Sequence, residues 1–73
     1  MVPSREATDG TRVRLRRREL GITQQGLAEA TGVTRQTVIS MESEDYAPSV
    51  FLALKVAAAL DTSVETLWGV PSP

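Results

Sequence analysis

Apolar positions recur along this chain at helical spacing, in short stretches divided by glycine, proline and hydroxyl residues, and nowhere show the two-residue alternation of a strand. Val13, Arg17 and Leu20 share one face of a first predicted helix, capped by Thr11 and stopped by Gly21. Thr23 caps a second, Gln24 to about Thr31, with Leu27, Ala28 and Thr31 on its buried side and Gly32 at its end. Thr34 caps a third, Arg35 to about Ser43. At 100° per residue its Val38 and Met41 face inward, Gln36, Ile39, Ser40 and Ser43 face outward, and Arg35 sits on the flank.

Ser49 caps a fourth helix through about Leu60, where Val50, Ala53, Leu54, Val56, Ala57 and Leu60 form one apolar arc. Phe51, Leu52, Ala58 and Ala59 surround Lys55 on the opposite side, so this helix is expected to be buried on two sides. Ser63 caps a short fifth, Val64 to Trp68. The prediction is an all-α, compact five-helix domain over residues 12–68, with a flexible arm at 1–11 and a tail at 69–73.

Composition narrows what such a domain can do. Its 73 residues suffice for one compact unit. With no cysteine there is no disulfide or thiolate metal site, and with no histidine the commonest general base and metal ligand are absent. A chain this short has little volume for a catalytic pocket, so neither an enzyme nor a cofactor or metal site is expected. The longest apolar run, Val50 to Leu60, is interrupted by Lys55 and is shorter than the roughly 18 residues of a membrane span. The polar start, Met1 to Asp9, cannot supply the apolar part of a signal peptide, and a cytoplasmic protein is the expectation.

The formal net charge of −1 hides an uneven distribution. Arg5, Arg12, Arg14, Arg16, Arg17 and Arg18 all precede residue 19, and only Arg35 and Lys55 follow. Local charge governs phosphate contacts, so an arginine-rich edge can hold a polyanion on a near-neutral domain.

Two short helices joined by Gly32-Val33-Thr34 make a helix-turn-helix. A major groove about 12 Å wide admits one helix, while the preceding helix crosses above it and offers its N-terminal amides to a phosphate. Several anchors at fixed spacing carry a closer likeness: Ile22-Thr23-Gln24-Gln25, Leu27-Ala28, Gly32 through Val38, Met41-Glu42, Tyr46-Ala47-Pro48-Ser49 and Asp61 through Leu67. Over about residues 12–68 the chain resembles the lambda-repressor-like (Cro/C1-type, Xre) helix-turn-helix family.

The resemblance implies a transcriptional regulator, expected to act as a repressor, that binds double-stranded DNA. It matches Arg35, Gln36 and Ser40 to base-reading positions and Gln24, Thr34 and Thr37 to backbone-contacting ones. Arg35 could pair with guanine O6 and N7, Gln36 with adenine N6 and N7, and outward-facing Ile39 could touch a thymine methyl. Arg17 and Glu42 match a structural ion pair, leaving the remaining arginines of the first helix, Arg14 and Arg18 among them, for phosphates.

Three departures stand out. Gly26 replaces a helix former at a cost of roughly 1 kcal/mol relative to Ala. Arg16 stands where an apolar residue is usual. Ser43-Glu44-Asp45-Tyr46 replaces an Asn-Gly-basic turn and puts carboxylates near the reading helix, where they repel phosphate.

The second apolar side of the fourth helix could be covered by Trp68 and Val70 or could meet its counterpart across a two-fold axis. A homodimer through Phe51, Leu52, Ala58, Ala59 and Trp68, on a palindromic operator, is expected. The rival readings are an antitoxin that binds a partner protein and a helical adaptor that binds protein instead of DNA.

Overall fold

The computed structural model describes residues 10–43 and 46–69. Its helices are α1 (Thr11–Glu19), α2 (Gln24–Thr31), α3 (Arg35–Ser43), α4 (Val50–Ala59) and α5 (Val64–Trp68), and there is no strand among the described residues. Hydroxyl caps begin most of these helices, as the sequence predicts. Thr23 Oγ1 accepts the Gly26 amide at 2.9 Å, Ser49 Oγ that of Leu52 at 3.1 Å, and Ser63 Oγ that of Thr66 at 3.1 Å. Each leaves fewer orphan donors in a first turn.

α1 begins differently. Thr11, expected as its cap, is its first residue, and Gly10 before it offers no capping side chain. Gly10 is buried against the C-terminal half of α3, where a Cβ would run into the Met41 carbonyl oxygen and crowd Glu42 Cα. The start of α1 is thus placed by its close approach to α3. The far end follows the expected stop, with Gly21 at φ 71° in the left-handed region. Leu20, expected to face inward with Val13 and Arg17, lies beyond the helix and is exposed, because the chain turns away at Gly21.

The core is one cluster. Val13 of α1, Leu27 and Ala28 of α2, Val38 and Met41 of α3, the α4 stripe and Leu67 and Trp68 of α5 all meet there. α2 packs on α3 and α4, α1 on α3 and α5, and α4 on α5. Ala28, nearly inaccessible, lets these helices approach closely. Thr31 is buried but satisfied, its hydroxyl donating to the Leu27 carbonyl at 2.8 Å.

The structure corrects the orientation of α4. Ala53, Val56, Ala57 and Leu60 are buried, but Val50 and Leu54, assigned to the same arc, are exposed. Leu52 and Ala59, assigned to the opposite side, are half-buried and pack against the core. The helix is turned by roughly half a residue step from the expected setting. Trp68 is buried within the core. Phe51 and Ala58 are the members of the expected second side that stand in the open.

No helix among the described residues is long and apolar enough to cross a membrane. Arg5 and the rest of residues 1–9, the carboxylates of Glu44 and Asp45, and Val70 with the last three residues lie outside the described residues.

Candidate nucleic-acid interface

The site is assembled around a buried charge. Arg17 leaves the inner face of α1 and meets Glu42 of α3 through two bonds, Nε to Oε2 at 2.6 Å and a terminal nitrogen to Oε1 at 3.1 Å. Its other terminal nitrogen donates to the Ile22 carbonyl at 2.9 Å. Both side chains are almost wholly removed from water. A fork-to-carboxylate pair of this kind fixes direction as well as distance, so α1, the chain entering α2, and α3 are held in one register. Gln24 joins the network by donating from Nε2 to Glu42 Oε1 at 3.3 Å, which orients the first side chain of α2.

The start of α2 is therefore rigid and open. Thr23 satisfies the Gly26 amide, while those of Gln24 and Gln25 precede the first intrahelical bond, from Leu27 to the Thr23 carbonyl. A Cβ at residue 26 would lie 3.1 Å from Thr23 Oγ1, so the glycine that departs from the family pattern sits directly beside the cap. Arg17, Arg18, Thr23, Gln24, Gln25 and Arg35 line an open recess here. Two free backbone amides, the positive end of the helix dipole and the nearby guanidinium groups make a recess suited to an oxyanion.

α3 starts at the rim of that recess. Gly32 adopts φ 75°, ψ 27° and ends α2, and the Val33 amide closes on the Ala28 carbonyl at 3.0 Å. Thr34 Oγ1 accepts the Thr37 amide at 3.2 Å and pairs with Thr37 Oγ1 at 3.0 Å. Arg35 and Gln36 are exposed, Ile39 and Ser40 half-buried, and Val38, Met41 and Glu42 are turned inward. One side of α3 is thus closed by the core and the Arg17 pair, and the other offers guanidinium, amide and hydroxyl groups to solvent.

The arginines of α1 divide by face. Arg12 donates to the Thr66 carbonyl at 3.1 Å and the Gly69 carbonyl at 2.9 Å. Arg16 donates to the Leu60 carbonyl at 2.9 Å and the Asp61 carbonyl at 3.1 Å, and pairs with Glu19 at 3.2 Å. Each guanidinium closes the carbonyl end of a helix, α5 for Arg12 and α4 for Arg16. The expectation that all the remaining arginines of α1 are available to phosphates is therefore corrected for these two. The side chains of Arg14 and Arg18, one turn apart on another face, make no hydrogen bond or ion pair among the described residues, and Arg14 Nε is buried without a partner.

Sequence reasoning missed this division because the acceptors are backbone carbonyls, which carry no side-chain signature. The four-residue spacing of Arg12 and Arg16 was the available signal, since it puts both on one face. It also missed Gln25 as a lining residue of the recess.

Comparison with known proteins gives this geometry a family. The helix-turn-helix family matches residues 13–67. An uncharacterized HTH-type transcriptional regulator of Methanothermobacter thermautotrophicus is 54% identical over 50 residues, covering 68% of this chain and 72% of its own. The crystal structure of SinR, a master regulator of biofilm formation from Bacillus subtilis, in complex with DNA superposes with a TM-score of 0.74 at 39% identity, covering 80% of this chain and 94% of that one. The P22 c2 repressor bound to a synthetic operator gives 0.76 at 31% identity, covering 84% and 94% respectively. With its core, turn and open α2–α3 face in the arrangement these proteins share, the chain belongs to the lambda-repressor-like, Cro/C1-type helix-turn-helix family of non-enzymatic transcriptional regulators.

Proposed function

We propose that the chain is a sequence-specific repressor that inserts α3 into the major groove of a palindromic operator as a homodimer. The observation that carries this reading is the continuity of the recess at the start of α2 with the polar face of α3. A phosphate seated at the Gln24 and Gln25 amides would set the register, with Thr34, Thr37, Arg14 and Arg18 toward the flanking backbone. Arg35 and Gln36 would then read base edges, with Ser40 and Ile39 further along the groove. That the similar SinR and P22 c2 repressor are solved in complex with DNA supports DNA as the partner. Repression follows from occupancy of an operator that overlaps a promoter.

Selection of bound duplexes from a random pool at moderate salt tests the proposal. Enrichment of a palindrome supports a dimeric base reader. An isolated half-site keeps the reading of DNA and removes the homodimer. No enrichment and no binding at low salt would overturn the proposal in favour of a protein-binding adaptor. On the enriched site, Arg35→Ala is expected to cost about 1–3 kcal/mol and to relax preference at one base pair, measured by titration against single-base variants.

A further inference from the structure

Gln24 is held at one end of its side-chain amide. Its Nε2 donates to Glu42 Oε1 at 3.3 Å, and the same oxygen takes a terminal nitrogen of Arg17 at 3.1 Å. A carboxylate engaged with a guanidinium accepts hydrogen bonds and offers none. The Gln24 amide therefore has one permitted setting, nitrogen toward Glu42 and oxygen away from it. That oxygen makes no hydrogen bond among the described residues and stays within reach of solvent. Glu42 is itself clamped by the 2.6 Å bond from Arg17 Nε, so the anchor does not swing. Gln24 lines the recess together with Arg35, which puts its side chain beside the start of α3.

This setting determines what Gln24 recognises. An untethered glutamine turns its amide to suit donors or acceptors alike and discriminates little. A glutamine held by its nitrogen offers an oxygen acceptor and, beside it, the second hydrogen of that nitrogen. Phosphate oxygens only accept, so they give the Gln24 oxygen nothing. In the major groove guanine shows two acceptors, cytosine a lone donor and thymine a lone acceptor. Adenine is the base that shows a donor, N6, next to an acceptor, N7.

We propose that the Gln24 side chain reads an adenine, and that Glu42 is the positioning residue that makes it selective. The proposal rests on the DNA reading above and deepens it. The peptide amide of Gln24 keeps the phosphate, and its side chain adds a base pair beside those of Arg35 and Gln36. Arg17 acts one step further back, because both of its bonds to Glu42 hold the carboxylate still. The buried pair that fixes the helices thus also fixes a letter of the operator.

Titration of the full chain against the enriched duplex, with each base pair changed in turn, tests the assignment. Gln24→Ala is expected to weaken binding about fivefold or more and to erase preference at one adenine. That adenine is distinct from the pairs relaxed by Arg35→Ala and Gln36→Ala. Unsubstituted purine at the same place lacks the N6 amine, and is expected to weaken the wild type equally while leaving Gln24→Ala unchanged. Arg17→Met with Glu42→Leu removes the tether together with both charges. It is expected to lose selectivity at this adenine and keep it at the Arg35 pair, its folding being checked by circular dichroism. Amide proton exchange in the free wild type reads the tether without any variant or DNA. One side-chain proton of Gln24 is expected to exchange more slowly than those of Gln25, whose partner Glu29 is exposed. Equal exchange overturns the proposal. So does a uniform loss on all duplexes for Gln24→Ala, the mark of a phosphate contact, or full selectivity at this adenine in the double variant. Failure of the DNA reading looks different, since the wild type then binds no duplex at all.

Discussion

A guanidinium group can lock a core or close a helix, and α1 has arginines that do each, with Arg14 and Arg18 left for the phosphates of the proposed reading. Arg17 is locked to Glu42 inside the protein. Breaking that pair from one side leaves a buried charge without its partner, and Glu42→Ala is expected to destabilise folding by about 3–5 kcal/mol. The double change Arg17→Met with Glu42→Leu removes both charges and is expected to recover most of the loss, as read by urea denaturation of the wild type, Glu42→Ala and the double variant. Arg12 and Arg16 differ from Arg14 and Arg18 in what a deletion should do. Arg16→Ala is expected to cost about 1 kcal/mol and to lower Tm by roughly 4–8 °C, leaving the salt dependence of DNA binding unchanged. Arg14→Ala and Arg18→Ala should do the reverse, weakening all duplexes alike at constant Tm. The pairing of Arg17 with Glu42 was legible through family resemblance. The roles of Arg12 and Arg16 were not, because the carbonyls they reach, 44 to 57 residues away, are set by tertiary packing.

At the scale of the helices, boundaries were legible wherever a side chain or a glycine marks them. Thr23, Ser49 and Ser63 cap as their chemistry requires, and Gly21 and Gly32 turn with positive φ. Two features escaped the sequence for related reasons. Gly10 reads as part of a polar arm until α3 is seen against it, and the rotation of α4 depends on which neighbours close over it. A helix made almost wholly of Val, Leu, Ala and Phe gives no polar stripe strong enough to fix its setting. Gly10→Ala tests the first feature. A methyl there meets backbone, which cannot swing aside, and a loss of about 1–3 kcal/mol is expected on thermal unfolding. Part of the shift should appear as faster amide exchange in α1, because the added methyl pries its first turn from α3.

For the molecule as a whole, the engaged arginines determine how much positive charge faces outward. Arg12, Arg16 and Arg17 are engaged internally, and among the described residues Arg14, Arg18, Arg35 and Lys55 remain. With Arg14 and Arg18 assigned to phosphate and Arg35 to a base edge in the proposed reading, two or three cations per copy are left to neutralise DNA. On the proposed reading, log K for a dimer should fall with log salt at a slope of about −4 to −5, measured by fluorescence anisotropy across a salt series. A slope twice as steep would mean that Arg12 and Arg16 leave their helices to meet phosphate.

The helix-closing role of Arg12 and Arg16 reaches into how a regulator finds its address. Affinity for arbitrary DNA comes almost entirely from phosphate neutralisation, so cations turned inward shorten every unproductive stay on the chromosome. On the proposed reading, more of the protein would then move through solution between encounters, and occupancy of the operator would respond directly to the number of copies present. Arginines that look from the sequence like grip on DNA would instead keep the protein free to let go of it.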